Sequence, residues 1–140
     1  MSLGSNVGDR AENIGLAISE IENFVFISKA LCSRIVESSA VLPENAPETW
    51  DLPFLNCCIS GRSKMYPMEI LHKIKEIEQK IGRIDRGRWG PREIDIDIIK
   101  YGSMYYISQT LRIPHVEMKN RDFVLNPMQE VVRKNFIHFV

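Results

Sequence analysis

The chain lacks an excess of either charge: lysine and arginine together number 18, and so do aspartate and glutamate. A nucleic-acid binder usually carries a basic surplus, whereas here the basic residues form only local clusters. Cysteine is scarce, with Cys32, Cys57 and Cys58 alone. An odd count with two neighbours gives neither a disulfide framework nor zinc-ligand spacing. That usage points to a reducing compartment, with the cytoplasm as the default. No apolar run approaches the roughly 20 residues of a membrane span, and no signal-peptide pattern opens the chain. Repeats, low-complexity segments and internal domain boundaries are also missing. What remains is 140 residues, 44% hydrophobic and 26% charged, the size and make-up of one soluble domain with one core.

The most informative stretch runs from Arg88 to Gly102. Between Ile94 and Ile98 apolar and acidic residues alternate, the period of a half-buried strand. Ile94, Ile96 and Ile98 then face a core, and Asp95 and Asp97 share the other face, about 7 Å apart along the strand. Adjacent carboxylates repel each other. A strand that carries them so is expected to neutralise them with hard cations such as Mg²⁺, which favour carboxylate oxygens and share their shell with substrate phosphates. Two such ions suit displacement at phosphorus.

The preceding run, Gly82 to Arg92, holds four arginines, three glycines and a proline, the composition of a flexible basic loop. Arginines so crowded repel one another unless an anion sits between them, and guanidinium matches phosphate in a two-pronged fashion. Alone, Asp-x-Asp reads as a solvated strand. Beside this loop it reads as a polyphosphate site.

Arg88-Trp-Gly-Pro-Arg-Glu-Ile-Asp-Ile-Asp-Ile-Ile-Lys-Tyr-Gly102 resembles the signature of the 6-hydroxymethyl-7,8-dihydropterin pyrophosphokinases of folate biosynthesis. The resemblance implies transfer of the terminal pyrophosphoryl group of ATP to the pterin hydroxymethyl group, with release of AMP. It implies two Mg²⁺ ions at Asp95 and Asp97. Arg83 and Arg92 are the candidates for transition-state stabilisation, and Arg86 or Arg88 are loop auxiliaries. No general base stands out.

Elsewhere the chain reads as follows. Gly4-Ser5-Asn6 forms a tight turn after a short first strand. Asp9-Arg-Ala-Glu12 opens a helix as a capping box. Ile14, Ala17, Ile18 and Ile21 then lie on one face, and the helix runs to about Phe24. Residues 29–38 read as a strand. The stretch 39–53, with Pro43, Pro47 and Pro53, reads as a long loop of the kind that is often functional. The family has a mobile, substrate-closing loop there, opened by Tyr-x-Thr-x-Pro where this chain has Val36-Glu-Ser38-Ser-Ala-Val. Residues 54–61 read as the next strand, with Leu55, Cys57 and Ile59 on its core face and Phe54 and Asn56 on the other. Pro67 starts a second helix, with Ile70, Ile74, Ile77 and Ile81 along its seam and Gly82 as its stop. His72 reads as surface. Residues 128–140 show no clear element.

Phe54-Leu-Asn56 is a further family motif and implies that Phe54 and Asn56 contact the pterin. Ile113-Pro-His115-x-x-Met118-x-x-Arg121-x-Phe123-Val-Leu is another, with Val116 where the family often has Pro or Tyr. It implies His115 and Arg121 at the ATP phosphates and Phe123 as a second aromatic plate. The resemblance likewise assigns Leu71, Glu78, Arg83, Arg88, Arg92, Ile98 and Arg112 to ATP, and Trp89 and Asp95 to the pterin site.

The expected fold is an α+β ferredoxin-like αβα sandwich with a mainly antiparallel sheet and mobile active-site loops. It fills residues 1–140 as a single domain, short at both ends by family standards, as an element excised from a fused folate enzyme would be. Two other classes compete. A metal-dependent nucleotidyltransferase also uses Gly-Ser and Asp-x-Asp, but close together in sequence, whereas Ser5 and Asp95 are far apart. An RNA-binding module on such a sheet needs aromatics on its central strands, where this chain has Asp95 and Asp97.

Overall fold

A computed structural model describes residues 1–137, with side chains through residue 134. The main sheet contains β1 (Ser2–Ser5), β2 (Leu31–Cys32), β3 (Val36–Ser38), β4 (Phe54–Ser60) and β5 (Asp95–Asp97). Its order is β2-β4-β1-β5, with β3 also paired to β4, and every pairing is antiparallel. Helices α1 (Arg10–Phe24) and α2 (Pro67–Ile81) cover one face, and α3 (Asp122–Ile137) packs on β4 from the other. This is the expected αβα sandwich. A small hairpin of β6 (Tyr106–Ile107) and β7 (Arg112–Ile113) stands apart.

The helices form where spacing and caps require. The Asp9 side chain accepts the Glu12 amide at 3.0 Å, which satisfies one orphan donor at the start of α1. Pro67 occupies the first turn of α2, and Gly82 ends it at φ 105°, a left-handed conformation open to glycine. Ile14, Ala17 and Ile21 of α1 meet Ile70, Ile74 and Ile77 of α2 over Leu3, Cys57, Ile59 and Ile96 of the sheet. Each fully buried isoleucine is worth about 1.5–3 kcal/mol, so this layer holds the fold together.

Register decides the other face. Gly4 lies opposite both Asn56 and Asp95, and Ser2 opposite both Cys58 and Asp97. Residues directly opposite on an antiparallel ladder share a face. That face is therefore split. Cys58 packs under α3 with Ile99, Val124 and Val131, while Gly4, Asn56, Asp95 and Asp97 line an open cleft.

Three expectations change. The strand over 29–38 is two strands, because Ser33 leaves the ladder. Its amide donates to the Cys58 carbonyl, and its hydroxyl accepts the Cys58 amide. The long loop keeps its irregular course but includes a 3-10 turn at Glu48–Trp50. The carboxyl end does form an element, α3, whose Val124, Pro127, Met128 and Val131 stripe has helical spacing. Residues 138–140 lie outside the described structure.

Candidate active site

A cleft of about 390 Å³ opens on the sheet face left bare by α3. Strand β4 contributes Phe54 and Asn56, and β5 contributes Asp95 and Asp97. The basic loop contributes Arg88, Trp89 and Arg92. His115 and Arg121 come from the segment that leads into α3, and Phe123 comes from α3 itself. Residues spread over some seventy positions therefore meet in one hollow. Phe123 belongs to the first turn of α3 rather than to a strand or loop.

The basic loop does not wait for an outside anion. Three of its four arginines find carboxylates of the chain itself. Arg83 donates to Asp95 Oδ1 at 2.8 Å and pairs with Glu78 Oε1 at 2.8 Å. Arg92 donates to Asp95 Oδ2 at 2.7 Å. Arg86 grips Glu93 with both terminal nitrogens, at 2.7 and 3.1 Å, and donates to the Pro91 carbonyl. That pair holds Glu93 below the usual carboxylate range, chiefly through the Arg86 hydrogen bond. Arg86 thus closes the loop on itself and does not line the cleft. Arg88 is exposed and lies 5.1 Å from the Trp89 ring.

Asp97 has a different setting. Burial and the neighbouring Asp95 charge push its carboxyl up, against the pull of His115 and Lys75. Among the described residues no ion pair reaches it. Buried charge tends to shift toward neutrality unless it is paired or coordinates a metal, so Asp97 is the kind of donor a bound cation relieves. No group of three or more acidic, His or Cys side chains is gathered for a metal among the described residues. The donor set of two carboxylates facing a cleft suits Mg²⁺, which typically takes one or two carboxylates and completes its shell with substrate phosphates and water.

The remaining expected residues do not line this cleft. Glu78 is buried, accepts the Ile96 amide at 2.8 Å and pairs with Lys75 at 2.9 Å. It sits beneath β5, and with Arg83 it borders a polar hollow of about 340 Å³ under the loop. Leu71 packs against the main core, Ile98 is buried in it, and Arg112 is exposed on β7. A larger cavity, about 530 Å³, lies elsewhere, between Phe26, Ile59, Tyr101 and Val131. It holds no carboxylate pair and lacks the chemistry of the cleft.

The family model described as 7,8-dihydro-6-hydroxymethylpterin-pyrophosphokinase matches residues 1–133. The chain belongs to this family. Members of the pyrophosphokinase family similar to it include a protein of Aquifex aeolicus named 2-amino-4-hydroxy-6-hydroxymethyldihydropteridine pyrophosphokinase. It is 41% identical over 138 residues, which is 99% of this chain and 81% of that protein. A Synechocystis protein of the same name is 37% identical over 94% of this chain and 64% of its own length. A Chlamydia trachomatis protein named folate synthesis bifunctional protein is 39% identical over 90% of this chain, which spans only 28% of it.

The cleft also depends on residues that motif reading treats as turn or departure. Asn6 is one. Its Oδ1 accepts the Arg92 amide at 2.7 Å, its own amide donates to the Arg92 carbonyl at 3.1 Å, and its Nδ2 donates to the Leu52 carbonyl at 3.1 Å. One buried side chain therefore ties both the basic loop and the 39–53 loop to the end of β1. Ser38 is another: its hydroxyl accepts the Asn56 Nδ2 at 2.9 Å and fixes which edge of Asn56 faces outward. Gly4 is a strand residue rather than part of the turn. A Cβ there would come within 3.1 Å of Asn56 Oδ1 and 3.4 Å of the Phe54 ring. The Gly-Ser-Asn cluster was the available signal, but its partners lie 46 to 86 residues away, beyond any spacing rule.

Geometry also bears on the nucleotidyltransferase reading. Strand pairing brings Gly4 beside Asp95 despite their distance in sequence. Ser5, however, is buried and receives the Asn13 amide at 3.3 Å, on the core side and away from the carboxylates.

Proposed function

We infer that the chain transfers the pyrophosphoryl group of ATP to the hydroxymethyl group of 6-hydroxymethyl-7,8-dihydropterin, releasing AMP. Beside family membership, one observation carries this reading. The carboxylate pair, the cationic side chains and an aromatic–carboxamide wall share a single cleft. In the reaction the pterin hydroxyl oxygen bonds to the β-phosphorus and gives up its proton. The bond from that phosphorus to the α–β bridging oxygen breaks, and the oxygen leaves with AMP. Such transfers rely chiefly on positioning and electrostatics.

The residues divide that work. Phe54 and Phe123 line the cleft from β4 and α3 and are proposed as plates on either side of the pterin ring. Asn56, held by Ser38, reads the ring edge, and Trp89 closes the wall. Arg92, His115 and Arg121 face the phosphates, and Arg83 supports Asp95 from below. Leu71, Glu78, Arg88, Ile98 and Arg112 complete the proposed nucleotide side. Asp95 and Asp97 would hold two Mg²⁺ ions, whose chemistry when bound is to shield phosphate charge and draw electrons from phosphorus.

No helix among the described residues is long and apolar enough to cross a membrane. All three cysteines are free, which suits the cytoplasm proposed for the chain. A fused setting like that of the Chlamydia relative is proposed on that relative alone, and the mass of the native polypeptide tests it.

The deciding assay incubates the protein with ATP, Mg²⁺ and hydroxymethyldihydropterin. AMP appearing with pyrophosphorylated pterin is expected, and release of pyrophosphate would instead indicate nucleotidyl transfer. Calorimetry tests the pocket: Phe123→Ala weakens pterin binding and leaves ATP binding intact. Equal loss for both ligands would move the pterin elsewhere.

A further inference from the structure

Asp95 is fully engaged by side chains of the protein itself. Each of its oxygens accepts from a different guanidinium, Arg83 on Oδ1 and Arg92 on Oδ2. All three side chains are between 22 and 24% exposed, so the charges are shielded from water but not sealed from it. A cation that approaches Asp95 meets two positive groups already in place.

The two arginines are not equivalent. Arg83 has a second carboxylate, buried Glu78, at the same 2.8 Å. If Asp95 turned to another partner, Arg83 would keep Glu78. Arg92 has no such reserve, because its other side-chain acceptors are the neutral Arg88 and Gly90 carbonyls. Its main chain is pinned on both sides by Asn6, so the side chain can swing while the loop stays put. A charged group held at its backbone, with one carboxylate to lose, gains most from a phosphate.

We propose that Arg92 is an exchangeable internal counter-ion for Asp95. It occupies the carboxylate until a phosphate-bearing ligand takes the guanidinium, and its departure opens Asp95 Oδ2 to a cation. Glu78 is the positioning residue that keeps Arg83 beneath the strand during the exchange. The inference rests on the reading of Asp95 as a metal donor. It adds that anion and cation recruit each other through Arg92, and such coupling is reciprocal. Asp97, without a guanidinium, is outside the exchange.

Two binding measurements on the intact protein test it, neither of which needs turnover. In EDTA, titrate α,β-methylene-ATP into wild type, Asp95→Asn and Asp97→Asn. Both variants remove one negative charge near an anion, but only Asp95→Asn releases the arginines. Asp95→Asn is therefore expected to bind the nucleotide about three- to tenfold more tightly than Asp97→Asn. In the second experiment Mn²⁺ alone is titrated, with free ion followed by electron paramagnetic resonance. Arg92→Gln is expected to tighten nucleotide-free Mn²⁺ binding by a similar factor.

Equal nucleotide affinities in the two aspartate variants would overturn the exchange, as would unchanged Mn²⁺ affinity in Arg92→Gln. Should Asp95→Asn fail to fold, the Arg92→Gln result decides alone. Wild type that binds no Mn²⁺ with or without the nucleotide analogue would remove the metal reading together with this inference. AMP release under Mg²⁺ would then show whether pyrophosphoryl transfer stands without it.

Discussion

Asp95 and Asp97 sit two residues apart on one strand and share one face, yet they occupy opposite environments. The Asp95 end of β5 lies against the basic loop and is neutralised by two guanidiniums. The Asp97 end lies opposite Ser2 of β1, is partly buried, and has its proton held more tightly by burial and by Asp95. Spacing alone makes the pair look symmetric. Register and loop closure break the symmetry: one carboxylate is the ion-pair partner of two arginines, and among the described residues no ion pair reaches the other.

The largest expected effect tests what the two share. Asp95→Asn and Asp97→Asn should each lower turnover by at least about 10²–10³-fold, the usual scale for loss of one transition-state electrostatic contact. What they do not share should appear in stability of the metal-free protein. Asp97→Asn removes a carboxylate that no ion pair reaches among the described residues and should raise Tm. Asp95→Asn strips two arginines of a partner and should lower it. AMP release and thermal melts in EDTA check both, and melting shifts of the same sign would erase the distinction drawn here.

Next in size is Arg92→Ala. On binding, Arg92 trades Asp95 for a phosphate, so its net share of ATP affinity is small, whereas the proposed transition-state contact has no such offset; kcat should fall by about 10²-fold or more while ATP affinity changes much less. A loss confined to ATP affinity, with kcat preserved, would make Arg92 only an anchor.

Glu78→Ala probes the support beneath the Asp95 end. This buried side chain serves the Ile96 amide, Arg83 and Lys75 at once. Its removal leaves Arg83 with Asp95 as its one carboxylate among the described residues and should cost about 3–5 kcal/mol, the scale for breaking a buried pair. Urea unfolding measures it, and a loss below about 1 kcal/mol would mark the cluster as a weak surface network.

Much of this was legible from local pattern. The isoleucine spacing of α1 and α2, the Asp9 cap, the Gly82 stop and the alternation of β5 all follow from neighbours within a few residues, and all appear. Helix α3 was missed although Val124, Pro127, Met128 and Val131 keep helical spacing. Pro127 inside the run argues locally against a helix, and burial against Cys58 outweighs that. What local pattern could not reach was partnership. That Arg86 is used on Glu93, that Ser33 breaks the strand, and that Asn6 holds Arg92 are facts of strand register and loop closure. The residues that line the cleft sit in individually distinctive motifs, and no spacing rule predicts that they meet.

The smallest expected effect is a pH dependence, and it separates the Asp97 end from an ordinary ion pair. The folded pKa of Asp97 lies above its usual value near 3.8, first because of burial and then because of Asp95. In that window the folded state binds more protons than the unfolded chain, so stability falls as pH rises. The contribution of Asp97 is thus most favourable below the usual value and is lost as pH rises through the folded pKa. Glu93 is the opposite case. Its folded pKa lies below the usual 4.5 because Arg86 donates to it, so its stabilisation is present above that value and is lost as pH falls through the folded pKa. Melts in EDTA across the acid range, compared with Asp97→Asn and Glu93→Gln, read the two signs. The Asp97→Asn advantage in Tm should shrink toward zero on acidification, and the Glu93→Gln deficit should shrink as well, from the other side. An Asp97→Asn offset that does not change with pH would mean its origin is packing, and the Asp97 end would then carry no stored charge for a cation to relieve.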